Sequence, residues 1–216
     1  GSEMCIRDSL NRMNAAGSCS NRAPSVPPMP MRWEFRPHVD RANPILALIG
    51  SPTELTKLQS DRLESQSGVD LITVDDPASD VSQLLSRLRA SAEIGKTVIG
   101  IRTTSRDGSA PDPLHASQML ALIIDLAVEC ADSMQFDGIY ASGGDVAFAV
   151  LDALGARGYE VENEVVPLAV SGKLVGGPHD GLGFATKGGL VGDADAAVEC
   201  INQLRSRIRQ SEPRIV

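Results

Sequence analysis

Two glycine-rich turns about forty residues apart carry the residue types best suited to chemistry: Ser142-Gly143-Gly144-Asp145 and Thr186-Lys187-Gly188-Gly189-Leu190-Val191-Gly192. Each is expected to close a strand and open a helix, where backbone N–H groups and roughly half a unit of positive charge can hold an anion. A third turn, Gly50-Ser51, follows an earlier apolar run and has the same character. Without side chains in the way, a phosphate can approach the backbone closely. Lys187 is one of only four lysines in the chain, and its ammonium could neutralise a terminal phosphate. Each feature alone also fits a plainer role. Gly143-Gly144 is then a tight turn, Asp145 and Ser51 are helix N-caps, and Lys187 is a solvated surface charge. His179-Asp180 sits in a Gly-Pro loop and is expected to face solvent rather than form a catalytic pair, and His115 reads as an ordinary residue at a helix start. There is no GxxxxGK[ST], which excludes a P-loop, and no GxGxxG directly after a strand, which gives a Rossmann-like dehydrogenase little support.

The elements that must position these turns begin at Asn43. Pro44-Ile45-Leu46-Ala47-Leu48-Ile49 suits a buried strand, and Gly50-Ser51-Pro52 a tight turn into a helix with proline at its first position. Val69 to Val74 is the next strand, and Val81, Leu84, Leu85, Leu88 and Ala92 form a helical stripe ending before Gly95. Thr97 to Thr104, a helix through Met119, Leu120, Ile123, Ile124 and Ala127, and a strand at Gly138 to Ala141 continue the alternation. After Gly144 a helix presents Val146, Ala147, Val150, Leu151 and Leu154. Residues 160–186 then change rhythm, with short strands separated by Gly and Pro in a hairpin-like β excursion. A last helix carries Ala194, Val198, Ile201, Leu204 and Ile208. The fold class is therefore α/β, a mostly parallel sheet with helices on both faces. Such sheets bind ligands outside the carboxyl ends of their strands, where all three glycine turns are expected.

Residues 1–43 lack any sustained period, and Pro24, Pro27, Pro28 and Pro30 crowd one short segment, so they read as a disordered tail or linker ahead of a domain at 44–210. Their opening, Gly1 to Ser9, resembles translated adaptor sequence. The net charge is −8, yet this tail has six Arg against four acids, leaving −10 on the rest. A body that acidic is a poor nonspecific partner for nucleic acid, and any anion site in it must be local. Cys5, Cys19, Cys130 and Cys200 have no metal spacing and are read as reduced and structural. Neither a run of about 18 apolar residues nor a signal-peptide core is evident, so the default expectation is a cytoplasmic protein with no membrane partner.

In this order the turns resemble the C-terminal nucleotide-binding domain of the four-carbon acid sugar kinases. Leu48-Ile49-Gly50-Ser51 with Thr56 and Gln59, Gly143-Gly144-Asp145, Glu164 to Pro167, Gly181-Leu182 and Lys187 to Gly192 carry the resemblance, which runs from about Pro44 to Arg209. It implies that the chain binds ATP with Mg²⁺ for phosphoryl transfer to the terminal hydroxyl of a tetronate such as threonate, erythronate or a 3-oxo-tetronate. Ser51 and Thr53 would line the nucleotide site, Gly143, Gly144 and Asp145 would border the phosphates, and Gly188 and Gly189 would complete the cradle beside Lys187. Val146 stands where the family has a hydroxyl residue, and Pro167-Leu168 where it has Pro-Gly. The acceptor site belongs to an N-terminal substrate-binding domain that residues 1–43 do not supply, so the expectation is nucleotide binding without turnover. An exposed interdomain face would favour a homodimer. The alternative is a non-catalytic module that senses nucleotide through the same cleft.

Overall fold

The computed structural model describes residues 43–51, 53–104 and 112–211. Seven strands form one sheet in the order β2-β3-β1-β4-β7-β6-β5. The strands β1 (Ile45–Ile49), β2 (Val69–Val74), β3 (Val98–Thr103), β4 (Gly138–Ser142) and β7 (Gly183–Lys187) are mutually parallel. The hairpin of β5 (Gly158–Val166) and β6 (Ala169–Val175) adds to β7 antiparallel. The stretch expected as a β excursion is thus the outer edge of the same sheet. β1 at the centre is buried along its whole length, as an uninterrupted aliphatic run requires.

Strand periodicity divides the core into two layers. Leu46, Leu48, Ile99, Ile101, Ile139 and Phe184 face α2 (Val81–Glu93), α3 (Pro113–Ser133) and α4 (Gly144–Ala153). Ile45, Ala47, Val98, Tyr140 and Ala185 face the other way, toward α1 (Glu54–Glu64) and α5 (Ala196–Ser211). By length and composition α3 could cross a membrane, although Asp125 and Glu129 interrupt its sequence. Its Met119, Leu122, Ile123, Leu126, Ala127 and Cys130 are instead packed into the core. Cys130 and Cys200 are buried free thiols, each pushed up to about 12 first by burial, while Cys5 and Cys19 lie outside the described residues.

Helix starts depart from the sequence expectation in two places. Thr53, not Ser51, caps α1, its Oγ1 accepting the Thr56 N–H at 3.2 Å, so the helix begins at Glu54 and Pro52, expected at its first position, lies outside the described residues. Asp145 does not cap α4 either: Gly143 occupies the N-cap with no side-chain bond, and Asp145 sits inside the first turn. Its carboxylate there still opposes the positive end of the helix.

The hairpin between β5 and β6 turns on Pro167-Leu168, and Leu168 has φ +67° while 78% exposed. A left-handed leucine costs about 1–2 kcal/mol, of which glycine recovers part, less its own larger unfolded-state entropy. Leu168→Gly is therefore expected to stabilise the domain by about 0.5–1 kcal/mol, a rise of roughly 1–4 °C in Tm. A calorimetric scan showing an unchanged or lower Tm would contradict this.

Candidate functional site

The chain runs outward from β1 on one side and returns to β4 on the other, so a crevice opens above the carboxyl ends of these two neighbours. A cavity of about 410 Å³ occupies it, large enough for a small organic ligand. Gly50 and Ser51 after β1, Thr103 and Thr104 at the end of β3, and Gly143 to Val146 at the start of α4 form its sides. His115, Ser117 and Met119 contribute from the first turns of α3, and Gly189 closes the remaining side. Met119, Leu120, Ile123 and Val146 supply an apolar wall. Val146 is 4% exposed and packs close over Gly50, so this side chain serves packing.

Five residues expected from the sequence come together here: Ser51, Gly143, Gly144, Asp145 and Gly189. Thr53, Gly188 and Lys187 do not line the cavity. Lys187 is the last residue of β7 and only 2% exposed, which rules out a solvated surface charge. Strand alternation turns it with Ala185 toward α1 and α5, away from the cleft, and desolvation lowers its pKa, with Cys200 acting weakly the other way. The second glycine turn also fails to open a helix, because α5 starts only at Ala196. What holds this turn instead is α1. The hydroxyls of Thr53 and Thr56 each reach the Gly189 carbonyl at 2.9 Å. The buried Gln59 donates its Nε2 to the carbonyls of Val191 at 3.0 Å and Asp193 at 2.6 Å. Thr56 and Gln59, which in the sequence carry part of the resemblance without a stated role, are thus the clamps of the site's rim.

Among the described residues no lysine or arginine lines the cavity, and the titratable side chains that do are His115 and Asp145. Positive potential there comes from helix ends. Neither Gly143 at the start of α4 nor Asp112 at the start of α3 makes a cap bond from its own side chain, and at α4 this leaves first-turn N–H groups for a ligand. His115, Ser117, Thr103 and Thr104 were missed as site residues. Their signal was positional: β3 is parallel to β1, so its last residues and the first turn of the following helix must reach the same end of the sheet. His179 and Asp180 lie at the opposite end, between β6 and β7, where Asp180 Oδ1 accepts the Gly176 N–H at 2.6 Å.

Residues 46–197 match the family model for a nucleotide-binding C-terminal domain. The chain is 35% identical over 199 residues to a D-erythronate kinase of Heliobacterium modesticaldum, covering 80% of this chain and 44% of that protein. It is 27% identical to a D-threonate kinase of Salmonella typhimurium, over 69% of this chain and 40% of the relative. Among solved structures, a Bordetella bronchiseptica domain of unknown function, crystallised with citrate as a domain-swapped dimer, superposes with a TM-score of 0.66 at 26% identity, covering 77% of this chain and 42% of that one. A Haemophilus influenzae protein shares the fold, with a TM-score of 0.61 at 16% identity over 76% of this chain and 41% of that one. The chain spans less than half the length of the curated relatives it matches. By its family model and these relatives, the chain belongs to the four-carbon acid sugar kinase family, as a nucleotide-binding C-terminal domain.

Proposed function

We propose that this domain holds the phosphoryl donor, ATP with Mg²⁺, for the phosphorylation of a four-carbon sugar acid at its terminal hydroxyl. The observation that carries this is the pairing of two helix starts, those of α3 and α4, around one cavity, with no cationic side chain among its described lining residues. Amide donors and helix dipoles there favour a polyphosphate that brings its own metal ion. Among the described residues no group of three His, Cys, Asp or Glu could hold a metal ion. Mg²⁺ would therefore be held mainly by phosphate oxygens and water, with Asp145 as the one carboxylate among the described lining residues able to meet its shell. Bound there, the ion would supply charge neutralisation at the transferring group. The apolar wall of Met119, Leu120 and Ile123 suits the less polar parts of the nucleotide.

Acceptor binding is assigned to a second, substrate-binding domain acting with this one in the cytoplasm, so that the chain alone binds nucleotide without turnover. The domain-swapped Bordetella structure makes self-association of this domain a natural companion reading. Titration calorimetry of the folded chain with Mg-ADP is expected to show saturable heat in the micromolar to millimolar range, and a coupled assay with erythronate or threonate to show no turnover. A folded sample giving no heat at millimolar Mg-ADP would defeat the nucleotide assignment. Turnover by the chain alone would defeat the division of labour.

A further inference from the structure

The Lys187 ammonium is buried without a carboxylate partner among the described residues, an arrangement that proteins seldom keep without a use. It stands in a buried polar layer. Ser142 is its register neighbour on β4, and Tyr140 is two residues earlier on the same face. The hydroxyls of both are fully buried and, among the described residues, meet the geometry of no hydrogen bond, although they lie close enough to each other to interact. The bond Lys187 does make runs from its Nζ to the Gly188 carbonyl at 3.0 Å. That oxygen also accepts the Val191 N–H at 3.2 Å, closing a tight turn. A planar trans peptide points its C=O and its N–H in opposite directions. With the Gly188 carbonyl drawn toward Lys187, the Gly189 N–H must point the other way, toward the side on which Gly189 lines the cavity. The carbonyl of Gly189 is bound separately by Thr53 and Thr56, so both peptide planes flanking this residue are fixed. The Gly189 N–H itself donates to no group among the described residues.

From this geometry we infer that Lys187 is a positioning residue, acting from beneath the sheet edge to aim the Gly189 N–H into the cleft as a fixed donor for an anionic oxygen of the ligand. It is not itself a phosphate ligand. Its N–H, buried behind the peptide it orients, fixes that donor without placing a flexible cation in the cleft. The hydroxyls of Tyr140 and Ser142 offer acceptors that an internal water could link to the remaining ammonium hydrogens. The inference rests on the nucleotide reading above, because it specifies a donor for that site.

The test combines amide NMR with calorimetry on the full chain, using Mg-ADP as the probe and comparing wild type with Lys187→Met and Lys187→Gln. Methionine keeps the aliphatic stem without a donor, and glutamine keeps an N–H without a charge. In wild type, Mg-ADP is expected to move the Gly189 amide proton downfield and slow its exchange. Lys187→Met should weaken Mg-ADP roughly tenfold or more and abolish that shift, the order expected for one charge-assisted hydrogen bond. Lys187→Gln should keep most of the affinity and the Gly189 shift. A wild type that binds Mg-ADP with the Gly189 amide unmoved overturns the inference while leaving the nucleotide site standing. So does a Lys187→Met variant with wild-type affinity. Should the Met variant not fold, the Gln variant decides: loss of both tenfold affinity and the Gly189 shift means that charge, not the donor, is what the site uses, and overturns the positioning role. Absence of any Mg-ADP binding by wild type removes the nucleotide reading and this inference together.

Discussion

Gly100→Ala is expected to lose at least about 4 kcal/mol, enough to leave little folded protein in a domain whose total stability is about 5–15 kcal/mol. Gly100 lies in the middle of β3, between Ala47 of β1 and Leu71 of β2. A methyl group there would stand 1.9 Å from the Ala47 carbonyl oxygen, 2.7 Å from its carbon and 2.9 Å from its Cα. All three are backbone atoms of the central strand. β1 cannot retreat from them, because its other edge is paired residue for residue with β4. Rotamer changes relieve most overpacking, but here no rotamer exists to change. Urea unfolding of Gly100→Ala decides the matter, and a midpoint within about 1 kcal/mol of wild type would show that the strands part more easily than this register allows.

Gly143→Ala is expected to fold but to bind Mg-ADP at least tenfold more weakly. The contrast with Gly100 lies in the source of the cost. Around Gly143 there is room, since an added Cβ would come no nearer than 3.5 Å to Val146. Its backbone is the obstacle: φ 113° and ψ 129° place it where side chains are rarely found, at a cost of about 1–3 kcal/mol. The strain can be relieved only by rotating peptides already engaged. The Gly143 N–H donates to the Lys187 carbonyl at 2.9 Å, and its own carbonyl accepts the Ala147 N–H at 2.9 Å. Either rotation tilts the first turn of α4, whose N–H groups are the proposed phosphate donors. Calorimetric titration alongside a thermal melt separates the two effects. Unchanged affinity in a destabilised variant would mean that the ligand does not rest on the α4 start.

Much of this architecture is legible in the chain because parallel α/β folds write their core in long aliphatic runs. Ile45–Ile49 and Val98–Ile101 announce strands buried on both faces, and Gly50, Gly143 and Gly189 mark where those strands must end near a ligand. Beyond that point local signals fail for identifiable reasons. A lysine beside two glycines looks exposed, yet strand alternation decides where Lys187 points, and that depends on β7 joining β4 at one particular register. Ser51 and Thr53 are equally good caps by type, and only the three-dimensional path of the chain makes Thr53 the residue that meets the Thr56 N–H. His115 carries no motif at all. Its place in the cleft follows from a crossover that brings α3 back over the sheet, information spread over dozens of residues rather than contained in a few. Leu168 is the converse case, where the departure from glycine was visible and its backbone consequence was not.

The clamps on the cleft's rim also give the site a history. Thr53, Thr56 and Gln59 follow the first strand of the domain, while the carbonyls they grip belong to positions 189, 191 and 193, more than 130 residues later. During synthesis the strands β1 to β4 can pair before β7 exists, and α1 can form with its hydroxyls and amide facing water. The cavity's last side closes only when the end of the domain arrives. The late arrival of one residue thus decides whether the cavity exists: a chain cut short before Gly189 can carry a nearly whole sheet and still lack the side that closes the cleft.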